Sequence, residues 1–311
     1  MTNERDTLLT FCDTLRRPVP QLRPANDVYL HYCSLDAFYK IFESGRLRYT
    51  SAMSTNDPSE FLFGQEVLQK ALEPPHPGRD NQAQTIIRLC REQSASRNFR
   101  AFVFCMSEAV DDESEVGELS QWRLYGGDGR GVALVIDARA PSGMESLTAL
   151  SSIPRRVLYG ADEGQAFVRE LLQSFFSEAA SSEKLSTETR AGRKALAGHL
   201  LNATYWLPSV IKHKAYRHER EVRLVRGDAG LDGGQPLVFF EKGGVQRPAI
   251  ELQISAISEK NGRTLHKSPI SGVIIGPSSN QATIYDSINY YLEALGWGVF
   301  VKRSDIPYRA I

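Results

Sequence analysis

The chain has no run approaching the roughly 20 apolar residues that a membrane-spanning helix needs, and its polar start, MTNERDTLLTF, carries no signal-peptide core. Both absences predict a cytoplasmic protein with no membrane partner. Net charge is missing too: 37 basic residues balance 37 acidic ones. No global field therefore draws the chain onto nucleic acid, and any such binding must be local. Cysteine is scarce, and Cys12, Cys33, Cys90 and Cys105 show no CxxC spacing, which argues against a disulfide or zinc scaffold. There is no repeat, coiled coil or low-complexity tract. What remains is an ordinary globular composition, 41% hydrophobic and 24% charged over 311 residues, enough for one large or two small domains.

The most specific residue choices lie between Val28 and Phe61. Period-two alternation in VYLHYC puts Tyr29, His31 and Cys33 on one face of a strand and Val28, Leu30 and Tyr32 on the other. Ser34 stands where an N-cap is expected, Leu35, Phe38, Ile41 and Phe42 recur at helical spacing, and Gly45 supplies the stop. A second strand spans Leu47 to Ala52. The loop Ser54-Thr55-Asn56-Asp57-Pro58-Ser59-Glu60 then crowds donors and acceptors into a turn fixed by proline.

The rest reads as an α+β protein: a mixed, mainly antiparallel sheet core split by a helical insertion near 160–210. Residues 1–27 form an N-terminal arm and 28–311 a single domain. Phe99 to Met106 is an apolar run expected as a buried strand. The acidic segment DDESEVGE lacks EF-hand spacing and reads as a solvated surface loop. GGDGRG lacks the Lys-Ser/Thr of a phosphate loop and reads as a tight turn. The segment ending EREVRLVR is expected as a strand carrying Glu219, Glu221, Arg223 and Val225 on one face. The C-terminal ISGVIIGP, QATIYDSINYYLEALG and WGVFVKRS suggest a strand, crossover helix, strand unit.

Three constellations carry chemistry. His31 with Asn56, Asp57 and Glu60 reads either as a satisfied histidine beside a capping turn or as a ligand site. Glu219 and Glu221, two apart on one strand face, read either as a salt-bridge ladder with Arg223 or as carboxylates that stabilise a cationic transition state in glycosyl transfer. The cations around them, Lys212 among them, could meet phosphates, with a solvated basic helix end the plainer reading for most. In the third, Ser107, Gln121, Trp122, Arg123 and Tyr125, the plainer reading of Trp122 is core, while Arg123 and Tyr125 beside the glycine turn could stack on and hydrogen-bond a flat ligand. Ser107 has no nucleophile elbow. No metal site is expected, since His213 and His218 lack a third ligand.

LHYCSLDAFYKIFESGRLRYTSAMSTNDPSEF, FVFCMSE, SQWRLYGGDGRGVALVID and KHKAYRHEREVRLV resemble, in order and spacing, the bacterial domain of unknown function 2971 family, over roughly residues 28 to 305. That name implies no activity. More distantly, a strand with His, a helix ending in Gly, a strand and a late strand bearing Glu is similar to the ADP-ribosyltransferase layout. This second resemblance implies NAD as cofactor, His31 at a ribose, Tyr49 or Tyr125 against nicotinamide, and Glu221, or else Glu219, as the catalytic glutamate. Tyr32, Ser34, Asn56, Asp57, Trp122, Arg123 and Arg223 complete the expected binding set. His31 and Glu221 are then expected to face each other across one pocket. The acceptor macromolecule is left open, with a bacterial defence or toxin effector as the biological setting. Two alternatives stand beside this one: a non-catalytic nucleotide- or nucleic-acid-binding sensor, and a nuclease-like effector using Asp57, Glu60, Glu219 and Glu221 with a divalent metal.

Overall fold

A computed structural model describes residues 20–55, 59–73, 81–96, 101–139, 153–180, 189–227, 236–254, 256–260 and 263–308. Asn56, Asp57 and most of the N-terminal arm lie outside this set. In chain order the elements are Val28–Cys33 (β1), Leu35–Ser44 (α1), Arg46–Ser51 (β2), Ser59–Ala71 (α2), Asn81–Ser96 (α3), Phe102–Glu108 (β3), Glu113–Val116 (α4), Leu119–Leu124 (α5) and Val132–Asp137 (β4). Two short strands, Arg155–Arg156 (β5) and Leu158–Tyr159 (β6), precede the helices Ala161–Ala180 (α6) and Arg190–Ala203 (α7). Then come Ile211–Lys212 (β7), Glu221–Arg226 (β8), Leu237–Lys242 (β9), Val245–Gln253 (β10), Ala256–Lys260 (β11), Arg263–Lys267 (β12), Ile270–Ile275 (β13), Gln281–Leu295 (α8) and Phe300–Arg303 (β14).

The fold is α+β. Ten strands form one mixed sheet in the order β14-β13-β4-β1-β3-β2-β10-β9, with β8 on the other side of β3 and β5 beyond it. Within this sheet the described pairs are antiparallel apart from β13 with β14, which α8 connects as a crossover; β6 and β7 form a separate parallel pair. The helical insertion is α6 and α7. Of the arm, residues 20–27 do not hang free: Leu22 is buried in the core, and the Gln21 carbonyl accepts from Arg156.

The first unit forms as its residues dictate. The Ser34 hydroxyl accepts from the Ala37 amide at 3.2 Å, and Gly45 ends α1 at φ 63°, a conformation that glycine adopts without steric cost. Phe38, Ile41 and Phe42 are its buried residues, and Trp297 donates its indole N–H to the Phe42 carbonyl at 3.1 Å.

One irregularity opens the sheet. β1 and β2 both pair antiparallel with the same edge of β3, at opposite ends. Tyr29 and Leu30 lie opposite Glu108 and Ser107, whereas Thr50 and Ser51 lie opposite Val103 and Phe102. Phe104 to Met106 therefore have β8 on one side and a slot on the other. The two faces of the sheet differ accordingly. Phe104, Met106, Val222, Leu224, Leu47 and Tyr49 enter one apolar cluster, with α1 and α8. Val103 and Val225 enter the other, with α2, α3, α6 and α7.

Gly64 lets α2 lie against the turn Leu207–Val210: a Cβ there would sit 2.0 Å from the Pro208 carbonyl oxygen. Backbone cannot yield as a flexible side chain can, so Gly64→Ala should destabilise the fold by about 1 to 3 kcal/mol. A urea denaturation curve measures this, and an unchanged midpoint would contradict the close packing.

Candidate functional site

Three of the carboxylates that the sequence singles out converge on one buried ammonium. Lys212, at the end of β7, is 2% exposed. Its Nζ lies 2.8 Å from Glu60 Oε1, 2.5 Å from Glu219 Oε2 and 3.3 Å from Glu221 Oε2. Arg223 on β8 completes the cluster. Its Nε donates to Glu221 Oε1 and its Nη2 to Glu221 Oε2, both at 2.8 Å, and Nη2 also reaches Glu60 Oε2 at 2.8 Å. Its Nη1 donates to the Ser209 carbonyl at 2.7 Å. Tyr125 donates its hydroxyl to Glu219 Oε1 at 2.9 Å. Three carboxylates thus share two cations, leaving one formal negative charge among side chains no more than 12% exposed.

Sequence parity places these carboxylates only in part. Glu221, Arg223 and Val225 do share a strand face, but Glu219 is not in that strand. It ends a 3-10 turn, Lys214–Glu219, and Arg220 between the two glutamates is left-handed at φ 44° and ψ 47°. For a residue with a Cβ that conformation costs about 1 to 2 kcal/mol. It is held by the Arg220 guanidinium on Glu113, at 2.6 Å and 2.5 Å, and by the Arg220 carbonyl, which accepts from the Glu108 amide at 2.9 Å. The kink aims both carboxylates at Lys212. Glu113, expected as part of a solvated acidic loop, is thus a structural anchor. Lys212 is no solvated helix end.

Electrostatics follow from the contacts. Burial alone would raise the Glu221 pKa, but Arg223 and Lys212 outweigh it and bring the group from its ordinary 4.5 to about 2. Burial opposes charge on Lys212 as well, and Glu221, Glu60 and Glu219 together push its pKa up. Burial, and then Glu221, raise the neighbouring Cys105 thiol well above its usual range.

The cluster floors a cavity of about 860 Å³, large enough for a nucleotide. His31, Tyr32, Ser34, Gln121 and Tyr125 line one side, while Arg46, Arg48, Phe240, Arg247 and Glu251 line the other. His31 sits at the sheet slot. Its Nδ1 lies 2.8 Å from the Cys105 carbonyl oxygen, an acceptor, so Nδ1 carries the proton and Nε2 the lone pair. Burial lowers the pKa of this imidazole, which favours the neutral form.

His31 and Glu221 line the same cavity but do not face each other. Leu30, Ser107 and Glu221 are in register across β1, β3 and β8, so His31, one residue on, projects from the opposite face of the sheet. Other expected residues are elsewhere. Tyr49 points into the core on the helix α1 side, 5.8 Å from the Phe104 ring, and is fully buried. Trp122 is fully buried, edge-on to Tyr32 at 4.9 Å, with its indole N–H on the Val116 carbonyl. Neither ring can stack on a cavity ligand. Arg123 is exposed and lies outside the cavity lining. The Tyr32 hydroxyl accepts from the Glu118 amide at 2.8 Å, and Ser34 is the α1 cap. The glycine turn is geometric, with Gly127, Asp128 and Gly129 all at positive φ.

Sequence reasoning missed the central role of Lys212, along with Tyr159, whose hydroxyl accepts from the Glu221 amide at 2.7 Å, and Ser209. A usable signal for Lys212 was its place at the end of the apolar run LPSVI, where a solvated lysine is out of character.

These features define an α+β protein with a deep cleft over a buried ion cluster. Residues 121–224 match the family described as protein of unknown function (DUF2971). That span includes Tyr125, Lys212, Glu219, Glu221 and Arg223, whereas β1, α1 and β2 lie outside it. No curated protein and no solved structure matches the chain. Among the described residues no helix is long and apolar enough to cross a membrane, and no group of three or more His, Cys, Asp or Glu is disposed to hold a metal ion.

Removing the ammonium alone should be severe. Lys212→Met leaves three carboxylates against one guanidinium and is expected to cost about 3 to 5 kcal/mol in chemical denaturation. A loss under about 1 kcal/mol would mean the cluster is solvated. The depressed Glu221 pKa fixes the sign of the acid response. Its stabilisation is complete above the ordinary 4.5 and is lost as pH falls toward about 2. Glu221→Gln should therefore flatten the stability profile across that window.

Proposed function

We propose that the cleft binds an NAD-type dinucleotide and promotes cleavage of its nicotinamide–ribose bond, as ADP-ribosyl transfer or as hydrolysis. The observation that carries this reading is the unbalanced charge of the buried floor. One formal negative charge among largely buried side chains favours a ligand that is cationic there, and favours still more a transition state in which positive charge moves onto the ribose. In the reaction, the C–N bond breaks with its electron pair leaving on neutral nicotinamide. The oxocarbenium ion that remains is captured by water or by an acceptor nucleophile. Glu221 is the nearest analogue of the glutamate that such chemistry uses, and Glu219 the alternative. Tyr125 is the aromatic side chain placed between floor and solvent. The cationic side chains Arg46 and Arg247 on the opposite wall suit the pyrophosphate.

A second reading, nucleotide binding without turnover, is favoured by one observation: both oxygens of Glu221 are already engaged by Arg223 and Lys212. The metal-dependent nuclease reading is weaker, because a divalent ion held by Glu60, Glu219 and Glu221 would occupy the place of the Lys212 ammonium.

Incubation with NAD carrying a labelled nicotinamide separates these readings. Glycosyl chemistry predicts release that falls about a hundredfold or more in Glu221→Gln, with thermal unfolding of the variant confirming that it is folded. Binding in calorimetry with no release, unaffected by that substitution, would establish the second reading. No NAD binding at all would end both for this ligand.

A further inference from the structure

One wall of the cavity is flat and rigid in a way that the anionic floor does not require. Arg48 projects from β2 toward the cavity, and its guanidinium carbon lies 4.8 Å from the centroid of the Phe240 ring on β9. Its edge is pinned by one oxygen of Glu251 on the intervening strand β10, which accepts from Nε at 2.9 Å and from Nη2 at 2.7 Å. Register fixes the arrangement, since Arg48 lies directly opposite Glu251 in the β2–β10 pair. Yet the Arg48 side chain is 39% exposed, and Arg48, Phe240 and Glu251 all line the 860 Å³ cavity.

A guanidinium held by an aromatic ring and by a carboxylate along its edge has lost the freedom that makes most surface arginines poor ligand platforms. Its ordering cost is already met by these contacts within the protein. What it offers is a planar, delocalised, weakly hydrated cation, a surface on which flat heteroaromatic rings stack. A salt bridge alone would not need Phe240 beneath it, and a phosphate contact alone would be served better by an unpaired, mobile lysine or arginine.

We propose that Arg48, seated on Phe240 and fixed by Glu251, is a stacking platform for a purine base, so that the cavity's ligand is an adenine nucleotide. This rests on the nucleotide reading of the same cavity. It adds which wall takes the base, and with it the ligand's direction: base toward β2, β9 and β10, and sugar toward Lys212 and Glu221. The platform is a positioning and binding element, not part of any bond-breaking step.

The test measures binding of AMP, NAD and nicotinamide mononucleotide, which lacks adenine, by calorimetry to the full chain. The variants are Arg48→Lys and Phe240→Leu. Lysine keeps the charge but loses the plane, and leucine keeps apolar bulk but loses the ring. Each variant should weaken AMP and NAD about tenfold, as loss of one stacked base implies, while nicotinamide mononucleotide changes less than twofold. Equal weakening of all three ligands would overturn the proposal in favour of a charge contact, and wild-type affinity in both variants would overturn it outright. Absence of any AMP or NAD binding would overturn it as well. AMP binding that depends on Arg48 and Phe240, without nicotinamide release, would uphold the platform while removing the glycosyl reading. Nicotinamide release indifferent to both substitutions would do the reverse.

Discussion

The Lys212 ammonium is the point on which the cleft depends. It draws carboxylates from α2, from the end of a 3-10 turn and from the start of β8 to one place, and so ties the helical layer to the face of the sheet. Each ion taken out of water costs several kcal/mol, and mutual attraction offsets this only where geometry is good and remaining lone pairs find donors. Both conditions are met: Arg223 bridges Glu221 and Glu60, and Tyr125 serves Glu219. A lysine suits the centre because its compact head presents three donors in three directions, whereas a planar guanidinium would address one carboxylate well and the others poorly. Arginine sits where planarity is used, broadside to Glu221.

The cavity above this cluster is a product of topology. A helix joining two strands that both pair with the same edge of a third must leave a gap if each strand takes only one end of that edge. β1 and β2 do so against β3, and α1 spans the separation. The gap would expose backbone groups of β3, and His31 caps one of them by donating to the Cys105 carbonyl. His31 is therefore well accounted for as part of the slot's wall, whatever else its free nitrogen does. A buried polar backbone group left unpaired is costly enough that this role alone can fix a histidine there.

The sequence makes local structure legible and long-range convergence much less so. Ser34, Gly45 and the apolar spacing between them specify α1 with its caps, because all of that information lies within about a dozen residues. Alternation in VYLHYC sorts its side chains correctly between the two faces. The same rule fails at Glu219, because parity holds only while the chain is a strand, and the left-handed Arg220 breaks it. Nor can parity within one strand reveal the parity between strands. The opposition of His31 and Glu221 across the sheet follows from β1, β3 and β8 sharing a register, which only the fold supplies. Lys212 was hidden for a related reason: a lysine amid charged neighbours reads as solvated, and its burial depends on Glu60, about 150 positions away.

Arg220 itself shows how the acidic segment and the cleft are joined. Glycine would adopt φ 44° without penalty, so an arginine there means that its side chain is used. Its guanidinium is held by Glu113, and its carbonyl receives the Glu108 amide at the end of β3. The acidic loop is thereby fastened to the one residue whose backbone sets the relative direction of Glu219 and Glu221. Close by, Glu118 of the same loop receives the Ser120 hydroxyl and the Gln121 amide, placing the helix that leads to Tyr125. Two routes, one through backbone strain and one through a helix cap, therefore run from this loop to the same carboxylate, Glu219. A segment that composition alone marks as solvent-facing is on these grounds part of the frame that aims the floor of the cleft.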